Sequence, residues 1–289
     1  MNKIFWFRSV LKVPGIGLCS FAILFVLLFL TIGASPQKTM VDCIPASLPT
    51  NLRLREAKPV KYNVVTEYYN EDIFGNFFNK TRVSGQYTRG LAGGNARWNG
   101  VMIANAGKKD EMFDSGTRQD SMESLQYDPA TVMANDSISL RLPADNVYCK
   151  TLTLDMFTFE SFAWSHFDSL HLNVPYHARV YDTDFSLGAS GNFINNDVKL
   201  IWTGISMINN RRCVLIQFEA LENRLHIKMG AMDAKGRSHY WGNIWVCLED
   251  KQIEEVWMNE DIMLEIDLPA KGKQMMNTIR KVTVKKVKG

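Results

Sequence analysis

Apolar and polar residues alternate along most of the chain beyond position 58. Alternation with period 2 marks half-buried strands. "VKYNVVTEYY" is rich in β-branched and aromatic residues, which fit a pleated surface. "TRVSGQYTRGL" and "ARWNGVMIANA" also alternate, and the "AGGN" between them supplies turn glycines, so the pair reads as a hairpin. The same grammar returns later: "VKLIWTGISM", then "INNRR" with asparagines that tolerate positive φ, then "CVLIQFEAL". The chain closes as a meander: "YWGNIWVCLE", a tight turn at "DKQ", a long "IEEVWMNEDIMLEIDL", a loop at "PAKGK" and a last strand in "MMNTIRKVTVKKV". "GNFFNK" at 75–80 and "GNFINN" at 191–196 each precede a strand–turn–strand stretch. Two similar halves, 59–150 and 175–289, are therefore expected, with Gly75 and Gly191 in turns.

Between the halves the period changes. In "DMFTFESFAWSHFDSL" the residues Phe159, Phe162, Ala163, Phe167 and Leu170 fall on a helical stripe, and Asp155 is placed to cap its start. The spacing predicts a helix near 155–170. One helix among about ten strands points to a mainly β fold: an antiparallel β sandwich, or a curved half-barrel sheet, with one covering helix.

Ahead of the strands lies a different texture. Residues 1–12 are basic, and residues 13–35, "VPGIGLCSFAILFVLLFLTIGAS", carry no charge. About 20 apolar residues suffice for a helix to cross the hydrocarbon core. The basic residues precede the run, which places the bulk of the chain outside the cytoplasm. A transmembrane anchor and a signal peptide are both open readings. If the segment is cleaved, the product is secreted or periplasmic. Residues 36–58 read as a linker before an extracytoplasmic β-rich domain, 59–289.

Charge changes little beyond that. Lys3, Arg8 and Lys12 account for the whole formal excess of +3, so the remainder is balanced and no nucleic-acid partner is expected. The acidic stretch 249–267 is followed by a basic tail, and the two are expected to pair across neighbouring strands.

Chemistry is sparse. There is no P-loop, dinucleotide fingerprint or GxSxG elbow, and no cofactor is called. The cysteines lack CxxC spacing, and no metal site is called. Cys213 and Cys247 both fall in expected strands and are candidates for a cross-sheet disulfide. The segment 166–184 gathers His166, Asp168, His171, His177, Asp182 and Asp184, which keeps a hydrolase or metal-dependent enzyme as one alternative. An adhesion or structural β module is another. The preferred reading is a membrane-anchored envelope protein that binds a lipid or other apolar ligand, or a partner protein. Phe159, Phe162 and Phe167 would form the helix side of its pocket, with Trp241 and Trp245 as wall candidates.

Overall fold

The computed structural model describes residues 47–49, 52–55, 58–129, 147–186, 191–229, 232–268 and 272–288. The expected N-terminal anchor lies outside these residues. No helix among the described residues is long and apolar enough to cross a membrane. Residues from Ala46 to Gly289 form one compact unit.

The fold is mainly β. Six long strands arise where the sequence alternates: β1 (Val60–Asp72), β2 (Phe77–Arg89), β10 (Arg211–Met229), β11 (Met232–Cys247), β12 (Ile253–Leu268) and β13 (Gly272–Lys286). They are joined by β3 (Ala96–Ala106), β9 (Lys199–Ile208) and the shorter β4 (Thr117–Arg118), β5 (Gln126–Tyr127), β6 (Tyr176–His177), β7 (Thr183–Ser186) and β8 (Gly191–Asn195). All belong to one open sheet with the central order β4-β3-β2-β1-β13-β12-β11-β10-β8-β7. The architecture is therefore a single sheet, and the sandwich alternative falls. The first and last long strands, β1 and β13, are antiparallel neighbours, with Tyr68 opposite Arg280. This pairing merges the two expected halves into one surface.

The two GNF segments do different things. Gly75 sits in the β1–β2 turn at φ +81. Gly191 instead opens β8, which lies against β10. Its φ is +114, and a Cβ there would meet the His226 carbonyl oxygen at 1.9 Å. The second segment needs glycine for close backbone approach within the sheet, not for a turn.

The acidic and basic stretches pair as the charge pattern suggests, on neighbouring strands. Lys273 reaches Glu265 at 2.7 Å and Lys285 reaches Glu255 at 3.4 Å, both across β12 and β13.

The helix, α1, runs Val147–Trp164. It starts eight residues before the expected position. Asp155 is not a cap but a mid-helix, buried residue. Phe167 lies in a short 3-10 turn, Phe167–Ser169, after the helix has ended. Helical periodicity is weak because α1 is buried over a wide arc that includes Lys150, Asp155 and Glu160. One face of the sheet wraps round it. Glu160 accepts a hydrogen bond from the Tyr87 hydroxyl on β2 at 2.9 Å, while Phe159 packs on Phe218 of β10 with centroids 5.9 Å apart. Five strand spacings of about 4.8 Å separate β2 from β10 in a flat sheet, more than the ~10–12 Å width of a helix. The sheet must curve for one helix to touch both.

Gly242 makes part of that curve possible. It lies opposite Phe218 in the β10–β11 ladder, and a Cβ there would meet the Phe218 ring at 2.6 Å. Phe218 in turn contacts Phe159, Phe162 and Tyr240. Replacing Phe218 by Ala should cost about 3–5 kcal/mol, seen as a lower urea midpoint with little change in slope.

Candidate functional site

The residues that face α1 form ladders across the sheet. On the inner face, Tyr68, Arg280, Glu260, Tyr240 and Ala220 are successive register partners from β1 to β10. This row is a polar belt. On one side of it the inner face carries Val282, Met258 and Phe218. On the other side lies an apolar cluster of Leu225, Ala234, Leu264 and Ile266, with Phe193, Ile227, Ile262 and Met276 packed on it.

Arg280 is the centre of the belt and is 3% exposed. One terminal nitrogen donates to Glu260 at 2.6 Å, and the other donates to Asp155 on α1. Glu260 also accepts a hydrogen bond from the Ser238 hydroxyl at 2.5 Å. The guanidinium lies 5.4 Å from the Tyr68 ring centre, and Tyr68 packs edge-on against Tyr148 of α1 at 4.9 Å. The helix is thus tied to the sheet by a buried ion triad near its middle. Trp164 adds a tie at its C-terminal end, donating to the Lys251 carbonyl at 2.8 Å.

Burial pushes the Asp155 carboxyl up to about 6, with Arg280 opposing and Glu260 reinforcing the shift. Burial also pushes the Tyr68 hydroxyl up. For Arg280, burial favours loss of the proton, but the two carboxylates outweigh it and the guanidinium stays charged.

Between α1 and the sheet is a cavity of about 400 Å³, within the usual ~300–1,000 Å³ of small-molecule sites. The belt forms part of its wall, and Phe159, Phe162, Leu225, Ile227, Leu264 and Met276 are among its apolar lining. Both helix phenylalanines are almost fully buried, at 0% and 1% exposure. Phe78, also in the lining, is 49% exposed. Phe193, Ile227, Ile262 and Met276 are only partly buried. Among the described residues, the cavity therefore opens toward the β1–β2 hairpin tip, past the first turn of α1. That tip carries Ile73 and Phe74, which are 49% and 83% exposed.

The other sequence candidates lie elsewhere. Phe167 is buried beneath the Lys251 ammonium, 4.7 Å from its ring centre, and does not line the cavity. Trp241 and Trp245 take the outward positions of β11. Their neighbours Tyr240, Gly242 and Ile244 face in, and alternation sends the tryptophans to the opposite face. Trp241 is 37% exposed, and the Trp245 indole donates to the Ser206 hydroxyl at 2.9 Å. The correction follows from the alternation itself: Tyr240, not Trp241, is the wall residue of this strand. Sequence reasoning also missed Arg280, Glu260 and Asp155. The one available signal was an arginine at an inward, otherwise apolar position of the last strand, between Thr278 and Val282.

The histidine-rich segment does not converge. His166 pairs with the Tyr176 hydroxyl at 3.1 Å, while His177 pairs with Asp197 at 2.6 Å. His171 is exposed, and Asp184 accepts from Asn192. A different group, Cys247, Asp250 and Glu254, brings its ligand-type atoms within 4.8 Å of one another. Cations of the chain already occupy it: Arg211 reaches Glu254 at 2.5 Å and Asp250 at 2.8 Å, and Lys286 reaches Glu254 at 2.7 Å.

Cys213 and Cys247 are direct register partners on β10 and β11. Both are buried and both are free thiols. The Cys213 thiol is pushed up by its hydrogen bond with Cys247 and by burial, and the Cys247 thiol is held down by that same hydrogen bond.

No family model matches the chain, and no curated protein matches it. Among solved structures, a lipovitellin structure titled for its lipid–protein interactions aligns with 82% of this chain at 11% identity and a TM-score of 0.38. The chain spans about a quarter of that protein, 26%. A DUF1329 family protein from Desulfovibrio piger aligns with 78% of this chain and 85% of its own, at 8% identity and a TM-score of 0.12. Likenesses at this level carry no functional argument.

The Asp155 shift has a measurable sign. Its ordinary value is 3.8 and its folded value about 6, so between these the folded protein holds a proton that the unfolded chain has lost. Its contribution to stability is therefore largest in acid and falls as pH rises through 6. Asp197, Asp233 and Asp250 are shifted the opposite way, so the effect must be read as a difference. Asp155→Asn keeps an acceptor for Arg280. Relative to that variant, wild type should lose on the order of 2–3 kcal/mol between pH 4 and pH 7 in urea unfolding.

Proposed function

We propose that this is a binding protein that holds an apolar or amphipathic ligand, such as a lipid, between α1 and the curved sheet. The observation that carries the reading is the cavity: about 400 Å³, walled mainly by apolar side chains and open past the start of the helix. Voids in a core typically cost stability, so a ligand that fills this space would stabilise the domain. Phe159 and Phe162 are the ligand-contacting residues of the helix in this reading, with Leu225, Ile227, Leu264 and Met276 facing them.

The location proposed for this activity is the outer side of a membrane. The uncharged run 13–35, with basic residues only before it, supports an anchor that leaves the β domain outside the cytoplasm. The described chain enters the domain at residues 52–55, where Arg55 donates to the Asp250 carbonyl at 2.9 Å. That turn lies at the opposite end of the long strands from the Phe74 tip.

The test uses the full chain held in amphipol and the uncharged probe N-phenyl-1-naphthylamine. Wild type should give a saturable fluorescence rise. Met276→Trp, at the partly buried mouth, should lower probe affinity about tenfold or more with an unchanged circular dichroism spectrum. Phe162→Asp should abolish binding, with folding checked in the same way. A folded wild type that binds no probe and carries no extractable lipid refutes the reading.

Export has its own readout. The Leu248 amide donates to the Arg212 carbonyl at 2.9 Å, which makes the adjacent Cys213–Cys247 pair a non-hydrogen-bonded one. Such pairs bring Cα atoms to about 4.5 Å, inside the roughly 4.4–6.8 Å window for a disulfide. In an oxidising compartment a disulfide-bearing oxidoreductase would accept two electrons and two protons from the thiols. It would leave as a dithiol, and Sγ–Sγ would form. Protein isolated from its native membrane with thiols trapped by an alkylating agent should then show Cys213 and Cys247 unlabelled until reduced. Full labelling before reduction would sink the export claim.

A further inference from the structure

We infer that the ligand of this cavity is an uncharged, single-chain amphiphile, and that the Asp155–Arg280–Glu260 belt selects against anionic head groups. The inference rests on the ligand-binding reading above. Its first support is the charge of the wall. Among the described residues, Arg280 is the one basic residue in the lining, against two acids, Asp155 and Glu260. With both acids ionised, the wall carries one surplus negative charge.

Its second support is that Arg280 is not on offer. A guanidinium facing an apolar pocket would ordinarily seat a carboxylate or phosphate with paired hydrogen bonds. Here both terminal nitrogens are engaged by the chain's own acids. The remaining Nε is shut off from solvent with no partner. An anionic head therefore finds no free cation and meets a like charge in a medium of low polarity.

A neutral head meets neither problem. Hydroxyl and amide groups line the same wall: Tyr148, Thr151, Thr158 and Ser161 on the helix, and Asn70 and Thr278 on the sheet. Two of these already bond each other, with Thr278 donating to Asn70 at 2.7 Å. A hydroxyl end group can both donate and accept among them. Size gives the third support. At ~30 Å³ for each water-sized group, a space of about 400 Å³ holds roughly a dozen methylene-sized units, which is one chain.

The experiment is displacement of bound N-phenyl-1-naphthylamine from the full chain at pH 8, where Asp155 is ionised. The competitors are dodecanol, dodecanoate and dodecyltrimethylammonium, which share a chain and differ in charge. Dodecanol should displace the probe at a concentration at least about tenfold below dodecanoate. Asp155→Asn removes the surplus charge and should bring the two within about threefold. Glu260→Gln, which acts from the sheet instead of the helix, should do the same if the first variant is poorly folded. Equal displacement by dodecanoate in wild type overturns the inference, as does a gap that persists in both variants. Tighter displacement by the trimethylammonium also overturns it, because the surplus charge would then be a cation site. If the probe does not bind at all, the ligand-binding reading itself has failed, which is a separate outcome.

Discussion

One buried arginine fixes how helix and sheet meet. Arg280 reaches from the last strand to Asp155 on α1 and sideways to Glu260 on β12. A buried pair of this kind gives little net stability, because desolvating the charges offsets their attraction. What it does give is position. Breaking it leaves an uncompensated charge in the core, at a cost of about 3–5 kcal/mol, so alternative helix placements are strongly disfavoured. Phe159, Phe162 and Tyr148 then fall where they do because Asp155 is held.

The belt divides the inner face into two unlike regions. On the side toward Trp164, aromatic side chains pack on one another, with Phe162 against Tyr181 and Phe218 at 5.3 and 5.4 Å, and Phe162 and Tyr181 close the inner end of the cavity. On the side toward the hairpin tips, the strands run on past the first turn of the helix with an apolar face. Among the described residues, the strands outrun the helix on that side, and the cavity lining continues there through Leu225, Ile227, Leu264 and Met276. The polar belt keeps the helix from sliding up to close it, since moving α1 by one turn, about 5.4 Å, would strip Asp155 from Arg280.

Much of this could be read from the chain. The strands of the second half declare themselves by alternation and by turn residues such as Asn209 and Asn210, which adopt φ +51 and +61. The helix boundary was hidden by its composition. "VYCKTLTL" is as rich in β-branched and aromatic residues as the strands are, and packing against the sheet through Cys149, Lys150, Leu152 and Thr153 overrides that propensity. Trp241 and Trp245 look like pocket residues by type, yet the period of 2 assigns them outward once Tyr240 is fixed inward. The pairing of β1 with β13 lies at a sequence separation no local pattern encodes. The belt depends on that pairing, so the site could not be assembled from motifs.

The triad also explains why the pocket persists. Replacing buried ion pairs by apolar side chains of similar volume is often neutral or stabilising. A core selected for stability alone would have leucine or methionine at 155, 260 and 280, and the helix would settle onto the sheet. Charges resist that collapse, because each demands its partner at hydrogen-bonding distance and excludes apolar neighbours from the same space. The rows on either side show the contrast. Val282 sits one step toward the closed end and lies outside the cavity lining, while its counterpart Thr278, one step toward the open end, borders the cavity. The belt therefore acts as a spacer as well as a latch, and it borders the apolar cavity that lies between helix and sheet.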